Sequence, residues 1–314
     1  MTRPKCSLAP LLFILSACSP ACTSVPEAGT PENGGGPVAD AGKSGPPPTD
    51  PTAPPTGGGG EITEAKGVDL SRLSEPQKTS FFQLINSEPS ACGKPHSLAV
   101  SLRDDPTCRD SISVSQFIAD ALASGASPSD IKANLDYIVS SLQPRKIDIE
   151  GCPVYGNERA PVTVVVFADF ECPHCRAEAP VLRQAIDQFR GRAKLVFKHF
   201  PLQMHPRAKA AAIAAVAAQN QGKFWEMHDI IFENQTALSD ADLRRYAQKI
   251  GLDMKQFDAD YGALKGKERV EADRAEGEKL EITGTPAVFV NGRYFNEYLF
   301  GGTVVGWIDD ALRR

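Results

Sequence analysis

The chain has 314 residues and a formal net charge of −5, with 23% charged residues, so it offers no strongly basic surface and we expect no nucleic-acid partner. The length leaves room for two folded domains plus extensions. Many of its 25 prolines and 26 glycines lie before residue 61, and that end is not expected to form a globular core.

The first residues have the order of a secretory signal. A basic start precedes a short apolar stretch at residues 8–15, which is too short to remain as a spanning helix. Residues 15–18, LSAC, resemble the bacterial lipobox. That resemblance implies a lipoprotein signal peptide at residues 1–17, a lipid anchor on Cys18, and a periplasm-facing place in the bacterial cell envelope, at the outer membrane. The alternative is an ordinary signal cleaved near Ala17 or Ala21.

Residues 18–66 are predicted to be a disordered tether. They are rich in proline, glycine, threonine, alanine and aspartate and have almost no large apolar side chains. Such a segment cannot bury enough apolar surface to offset the entropy lost on ordering.

Residues 67–143 are predicted to form a small helical domain. Apolar positions recur with helical spacing, and Ser74-Glu75-Pro76-Gln77 and Ser127-Pro128 are helix-start signals. Three or four short helices make a small core, so a structural disulfide between Cys92 and Cys108 is expected to stabilise it. The alternative for these two cysteines is a second redox site.

The strongest chemical motif follows a buried strand. Residues 162–168 are a near-continuous apolar run, and Cys172-Pro173-His174-Cys175 comes four residues later, where a helix with an apolar face begins. A helix N-terminus presents unpaired N–H groups and partial positive charge, which favour a thiolate. We therefore assign Cys172 as the nucleophile, Cys175 as the resolving thiol, His174 as a residue that tunes the thiolate, and Pro173 as a first-turn residue.

A second motif lies more than a hundred residues away. Thr285-Pro286 directly precedes a short apolar strand and an Asn291-Gly292 turn, a pattern typical of a hairpin. Together the two motifs resemble the thioredoxin superfamily, and specifically its DsbA-like thiol oxidoreductases. The resemblance implies an α/β thioredoxin fold over residues 144–314 with a helical insertion at about 203–281, and a cis Thr285-Pro286 bond that faces the cysteines and positions the substrate chain.

One position departs from that family. Six residues before the first cysteine, where a buried acid is usual, this chain has Val166. Glu171 is a possible substitute, although a solvated loop position is the preferred interpretation. Cys22 and Cys152 are left unmatched; they could pair with each other, but a buried and inert Cys152 is favoured.

The predicted function is exchange of disulfides with protein thiols, as an oxidant, through Cys172 and Cys175. The partners are protein thiol or disulfide clients and a redox recharging partner in the membrane, and no organic cofactor is required. No metal site is predicted, because neither a second C-x-x-C nor an H-x-x-x-H completes a tetrahedral set. The alternatives are a disulfide isomerase or reductase, which Thr285 leaves open, a copper relay through the two thiols, and a holdase.

Overall fold

The architecture is described from a computed structural model of the chain, which describes residues 61–296 and 302–314. The predicted signal, the predicted lipidation site Cys18, Cys22 and nearly all of the predicted tether lie outside those residues. Within the described part, no helix has the length and apolar character needed to cross a membrane.

A helical region precedes the sheet. Its four helices are α1 (Glu75–Ser87), α2 (Leu98–Asp104), α3 (Asp110–Ala123) and α4 (Pro128–Leu142). Ser97 and Ser127 cap α2 and α4 by accepting hydrogen bonds from backbone N–H groups of the first turn. The apolar faces of the four helices meet in one core. The expected disulfide between Cys92 and Cys108 is present and joins the segment before α2 to the one before α3.

A five-stranded mixed sheet forms the centre of the second region. The strands are β1 (Val154–Gly156), β2 (Val162–Ala168), β3 (Ala193–His199), β4 (Ala287–Val290) and β5 (Arg293–Phe295). Their order in the sheet is β1-β3-β2-β4-β5; β2 and β3 are parallel and the other neighbours are antiparallel. The predicted apolar strand is therefore the middle strand, with both faces covered, as its unbroken apolar run requires.

Helices cover both faces of this sheet. They are α5 (Pro173–Gln188), α6 (Ala208–Gln219), α7 (Phe224–Glu233), α8 (Asp240–Lys249), α9 (Met254–Gly262), α10 (Lys267–Lys279) and α11 (Val304–Arg313). Val164 and Val166 of β2 face a core shared with α5, α7 and α11, whereas Val165 and Phe167 face the opposite core. Five helices, α6–α10, lie between β3 and β4, where the helical insertion was predicted.

The helical region packs directly against the β4–β5 hairpin and α11. Trp307 of α11 contacts the cores of both regions. Arg293 of β5 pairs with Asp110 of α3, and Arg314 also reaches Asp110, with Arg314 Nη2 2.8 Å from Asp110 Oδ1. The two regions therefore share apolar contacts and a group of mostly buried charges.

Two boundaries differ from the sequence predictions. The first strand was expected over Lys146–Tyr155, but β1 starts only at Val154. The preceding segment is held instead by single bonds such as Arg145 N to Gly292 O, 2.8 Å, and Asp148 N to Glu276 Oε1, 2.7 Å. In addition, Ile62 is buried in the helical core and exchanges hydrogen bonds with Asn86, so folded contacts begin before residue 67.

Candidate active site

The two motif cysteines lie where β2 passes into α5. Cys172 is the N-cap residue of α5, Pro173 occupies the first turn, and Cys175 lies within that turn. Both thiols are free, and both residues are buried, with 4% of Cys172 and 2% of Cys175 exposed. Pro180 lies inside the helix, where it removes one backbone donor.

The electrostatic environment favours a thiolate at Cys172. Its pKa is lowered to about 4, chiefly by a hydrogen bond from the Cys175 thiol; burial opposes this, and the Thr285 side chain and the N–H groups of Cys175 and His174 lower it further. These N–H groups are the unpaired donors at the start of α5. Cys172 is therefore ionised at neutral pH.

Cys175 has the opposite character. Burial and the neighbouring Cys172 raise its pKa strongly, although the N–H of Asp169, 3.4 Å from Cys175 Sγ, partly offsets this. The pair therefore combines a reactive thiolate with a protonated thiol beneath it, which is the arrangement expected of a nucleophile and a resolving thiol.

The loop before β4 faces the cysteines. The Thr285-Pro286 bond is cis, as the resemblance implied. Cys172 Sγ lies 3.2 Å from the carbonyl oxygen of Thr285, to which it donates when the thiol is protonated. The Thr285 hydroxyl is near enough to both sulfurs to lower their pKa, yet Oγ1 is buried and makes no well-directed hydrogen bond within the described chain.

Two surface grooves meet at Thr285 and Pro286. One, of about 330 Å³, extends past His174 and Ala177 of α5 and along β5. The other, of about 270 Å³, extends along residues 280–284 to Tyr137 and Ser141 of α4. The helical region thus supplies one wall of a groove that reaches Thr285 and Pro286.

Comparison with known proteins agrees with this geometry. Residues 149–310, about half of the chain, match the family model described as Thioredoxin. The chain belongs to the thioredoxin family. The predicted thioredoxin fold, with a helical region before it, is thereby confirmed.

Individual relatives cover this thioredoxin-family chain only in part. The Na(+)/H(+) antiporter NhaA 3 of Salinispora tropica is 41% identical over 148 residues, 47% of this chain and 22% of that protein. The NhaA 1 of Mycobacterium sp. strain KMS is 35% identical over 198 residues, 60% of this chain and 32% of that protein. The chain therefore spans about a fifth to a third of the length of these curated relatives.

Three solved structures are each similar to about half of this chain. A thioredoxin-like oxidoreductase from Silicibacter pomeroyi is 28% identical, with a TM-score of 0.46 over 52% of this chain and 92% of that one. BdbD from Bacillus subtilis is 24% identical, with a TM-score of 0.47 over 53% and 96%. The thiol-disulfide exchange protein alpha-DsbA2 from Wolbachia pipientis is 22% identical, with a TM-score of 0.46 over 58% and 94%.

The side chain of His174 is exposed, and its backbone N–H is among the groups that lower the pKa of Cys172. The predicted tuning by its ring stays a prediction.

The acidic residues near the cysteines are also arranged differently from the prediction. Val166 lines a small cavity with Cys175. Glu171, proposed as a substitute acid, is half-buried and its carboxylate accepts from Arg207 N at 2.5 Å. The buried acid of this loop is Asp169, which accepts from Leu202 N and His205 Nδ1, both at 2.7 Å.

The pairing of Asp169 with His205 was missed in the sequence. Burial lowers the pKa of His205, but the hydrogen bond and charge of Asp169 and the charges of Glu171 and Cys172 outweigh it and raise the pKa overall. The signal available in the sequence was Asp169 itself, an acidic residue three positions before Cys172.

The remaining described cysteine, Cys152, is buried and unpaired, as favoured from the sequence. Burial, with the Asp273 charge, raises its pKa to about 11, and Arg269 hydrogen-bonds its sulfur. Among residues 61–296 and 302–314, no group of three or more His, Cys, Asp or Glu side chains is arranged to hold a metal ion.

Proposed function

We propose that this chain is a thiol:disulfide oxidoreductase that oxidises protein thiols through the Cys172-Cys175 disulfide. The observation that carries the proposal is the contrast between the two thiols: the pKa of Cys172 is lowered to about 4, while that of Cys175 is raised by burial. A stabilised Cys172 thiolate favours the reduced form of the protein, so the disulfide is an oxidant.

The reaction has two exchanges. A client thiolate attacks Cys172 Sγ, the Cys172-Cys175 bond breaks, and Cys175 leaves and takes up a proton. A second client thiolate then attacks the client sulfur of the mixed disulfide, and Cys172 leaves as its stabilised thiolate. The client gains a disulfide and the protein is left with two reduced cysteines.

The site's surface suits an extended client segment. Cys172 is only 4% exposed, and its sulfur lies beside the carbonyl of Thr285, a residue that lines both grooves. A flexible segment can enter such a groove and approach the half-buried backbone beside Pro286, whereas a rigid folded surface cannot follow it. Thr285 and Pro286 are the proposed substrate-positioning residues.

The proposed cellular setting is the bacterial envelope, where disulfides persist. The supporting features are the basic-apolar signal and residues 15–18, which resemble a lipobox and would make Cys18 the lipid-bearing residue of an outer-membrane lipoprotein. Because each turnover leaves the pair reduced, a recharging partner must accept its two electrons, and we place that partner in the membrane. Mass spectrometry of the mature N-terminus tests the anchor, since an unmodified terminal residue would refute it.

The deciding experiment is the reduction potential of the Cys172-Cys175 pair, measured against glutathione redox buffers together with oxidation of a reduced protein client. We expect a potential well above that of thioredoxin, about −270 mV, and loss of client oxidation in Cys172→Ala. A thioredoxin-like potential would favour a reductase or isomerase instead. Client oxidation that persists in Cys172→Ala would overturn the assignment.

A further inference from the structure

His228 of α7 lies next to the resolving cysteine without having been part of either motif. It is 4% exposed. Together with Cys175, Val166, Glu178 and Phe232 it lines a small cavity of about 10 Å³. A cavity of this size has room for about one water molecule. His228 and Cys175 therefore share a wall around a single water-sized space.

The same histidine also reaches the outside of the protein. With Asp229, Arg183 and Arg176 it lines a surface cleft of about 470 Å³. His228 is thus the ionisable side chain common to the inner cavity and this outer cleft. His228 therefore lies between Cys175 and the solvent of this cleft.

The hydrogen bonding of the ring sets its tautomer. Nδ1 lies 2.8 Å from Asp229 Oδ1, and the other oxygen of Asp229 accepts from Arg183 Nη1 at 2.7 Å. A carboxylate held by an arginine only accepts, so the ring hydrogen is on Nδ1 and Nε2 is left as the acceptor. Asp229 is therefore a positioning residue for His228.

The surroundings of His228 favour the neutral form of its ring. Burial lowers its pKa, as does the charge of Arg183, and the hydrogen bond and charge of Asp229 do not fully compensate. His199, a neighbouring buried histidine, also interacts electrostatically with it. The packed rings of Phe170, Phe197, Phe224, Trp225 and Phe232 supply no further charge.

Cys175 needs a proton-transfer partner in every exchange. It is buried, so its thiolate must be protonated as it leaves the disulfide, and the thiol must lose that proton when it attacks. Val166, on the same cavity, has no proton to give, and Glu178, the other titratable side chain of the cavity lining, does not line the outer cleft. We propose that His228, oriented by Asp229, carries this proton between Cys175 and the outer cleft through one water molecule.

This proton transfer rests on the proposed thiol-exchange function. When a client thiolate attacks Cys172 Sγ, the Cys172-Cys175 bond breaks and its electron pair goes to Cys175. A proton passes from His228 Nε2, protonated from the cleft, through the cavity water to Cys175 Sγ, and His228 returns to its neutral form. In the reverse direction the Cys175 thiol gives the proton back as its sulfur attacks the mixed disulfide.

The test is the rate at which dithiothreitol opens the Cys172-Cys175 disulfide in the full chain, followed by stopped flow across pH and in D2O. General acid–base assistance is worth on the order of 100-fold or more, so His228→Gln is expected to open about 100-fold more slowly. The variant should also lose the acid-side rise in rate and the D2O effect, while its reduction potential stays that of the wild type. A structural role would shift the potential as well.

His199→Gln is the matched control, since it makes the same change in a neighbouring buried histidine that does not line the cavity. It is expected to keep the wild-type rate and pH profile. A wild-type rate of disulfide opening in His228→Gln would overturn the proposal, as would an equally slowed rate in His199→Gln.

Asp229→Asn provides a second route if His228→Gln does not fold, because the Asp229 side chain is 42% exposed and its replacement leaves the ring in place. It is expected to slow opening and flatten the pH profile, and a wild-type profile would overturn the proposal. Since dithiothreitol replaces the protein client, failure to oxidise clients would refute the proposed function without deciding this test.

Discussion

Cys172 Sγ lies 3.2 Å from the carbonyl oxygen of Thr285, although the two residues are 113 positions apart. The contact joins the start of α5 to the loop before β4, and it brings the reactive sulfur beside the cis Thr285-Pro286 bond. The thiol donates in this contact, so ionisation of Cys172 breaks it and leaves the thiolate held by the N–H groups of the helix start.

The reduced protein should lose stability as the pH falls. The pKa of Cys172 is about 4 in the folded reduced protein, against about 8.5 for an unfolded cysteine. Because the pKa of Cys172 is lower in the folded state, its ionisation stabilises the folded reduced protein. This stabilisation is fully present above the unfolded pKa and is lost as the pH falls to about 4. Thermal unfolding of both redox forms should show a reduced-form advantage at pH 8 that shrinks toward pH 4. A constant difference over that range would contradict the lowered pKa.

Replacing Thr285 by valine should weaken the thiolate. The Thr285 hydroxyl lowers the pKa of both cysteines but has no well-directed hydrogen bond of its own. We therefore expect Thr285→Val to raise the pKa of Cys172 and make the disulfide less oxidising. The stability of the oxidised protein should not fall, since that form has no thiolate and a buried hydroxyl without a well-directed hydrogen bond is removed. Ultraviolet titration of the thiolate measures the change, and Thr285→Ser, which keeps the hydroxyl, is the control.

Alkylation should distinguish the three described thiols. At pH 6 Cys172 is a thiolate, whereas burial raises the pKa of Cys152 to about 11 and that of Cys175 further. Iodoacetamide should therefore label Cys172 alone among these three in the native reduced protein, as read by peptide mass spectrometry. The denatured protein, in which all three react, is the control. Native labelling of Cys152 would contradict its inert assignment.

Asp110→Asn should destabilise the junction between the helical region and the sheet. Asp110 pairs with Arg293 and Arg314, and Arg293 is largely buried. Removing one partner from a buried pair costs about 3 kcal/mol, because the remaining charge is left in a poorly solvated place. Asp120→Asn breaks the exposed pair with Arg72 and should cost less than about 1 kcal/mol. Denaturant unfolding measures the free energy of unfolding of both variants. Equal losses would show that burial adds nothing to the cost of breaking the Asp110 pair.

Gly292→Ala should disrupt the turn between β4 and β5. Gly292 has a φ of +80°, and a Cβ there would clash with the backbone of Arg145. Gly93 has a φ of +66° with open space around it, so Gly93→Ala carries only the backbone cost of about 1 kcal/mol. We expect Gly292→Ala to lower the free energy of unfolding well beyond that control. Similar losses would mean that Arg145 moves aside freely.

The sequence revealed the parts of the site that are local. A buried strand, a C-x-x-C pair and a helix face lie within thirty residues, so their patterns placed Cys172 and Cys175 at the start of α5. The cis Thr285-Pro286 bond came from the family resemblance, because no local pattern shows which residues a distant loop will face.

What the sequence did not reveal depends on tertiary packing. The side chains of Asp169 and His205 are 36 positions apart, and His228 reaches the Cys175 cavity only because α7 packs against α5 and the sheet. The short β1 has a similar origin, since the backbone N–H groups of Arg145 and Asp148 before it bond to Gly292 and Glu276 and do not extend the ladder with β3. Ile62 stood alone in a polar segment and gave no periodic signal.

The position of Trp307 bears on how the chain can be divided. Its ring contacts both apolar cores, and the guanidinium of Arg293 lies over it, 5.2 Å from the ring centroid and so within the roughly 6 Å reach of a cation–π contact. A fragment that starts after α4 would uncover one side of this indole and strip Arg293 of its Asp110 counter-ion. We therefore expect the redox region to be less stable when it is separated from the four N-terminal helices.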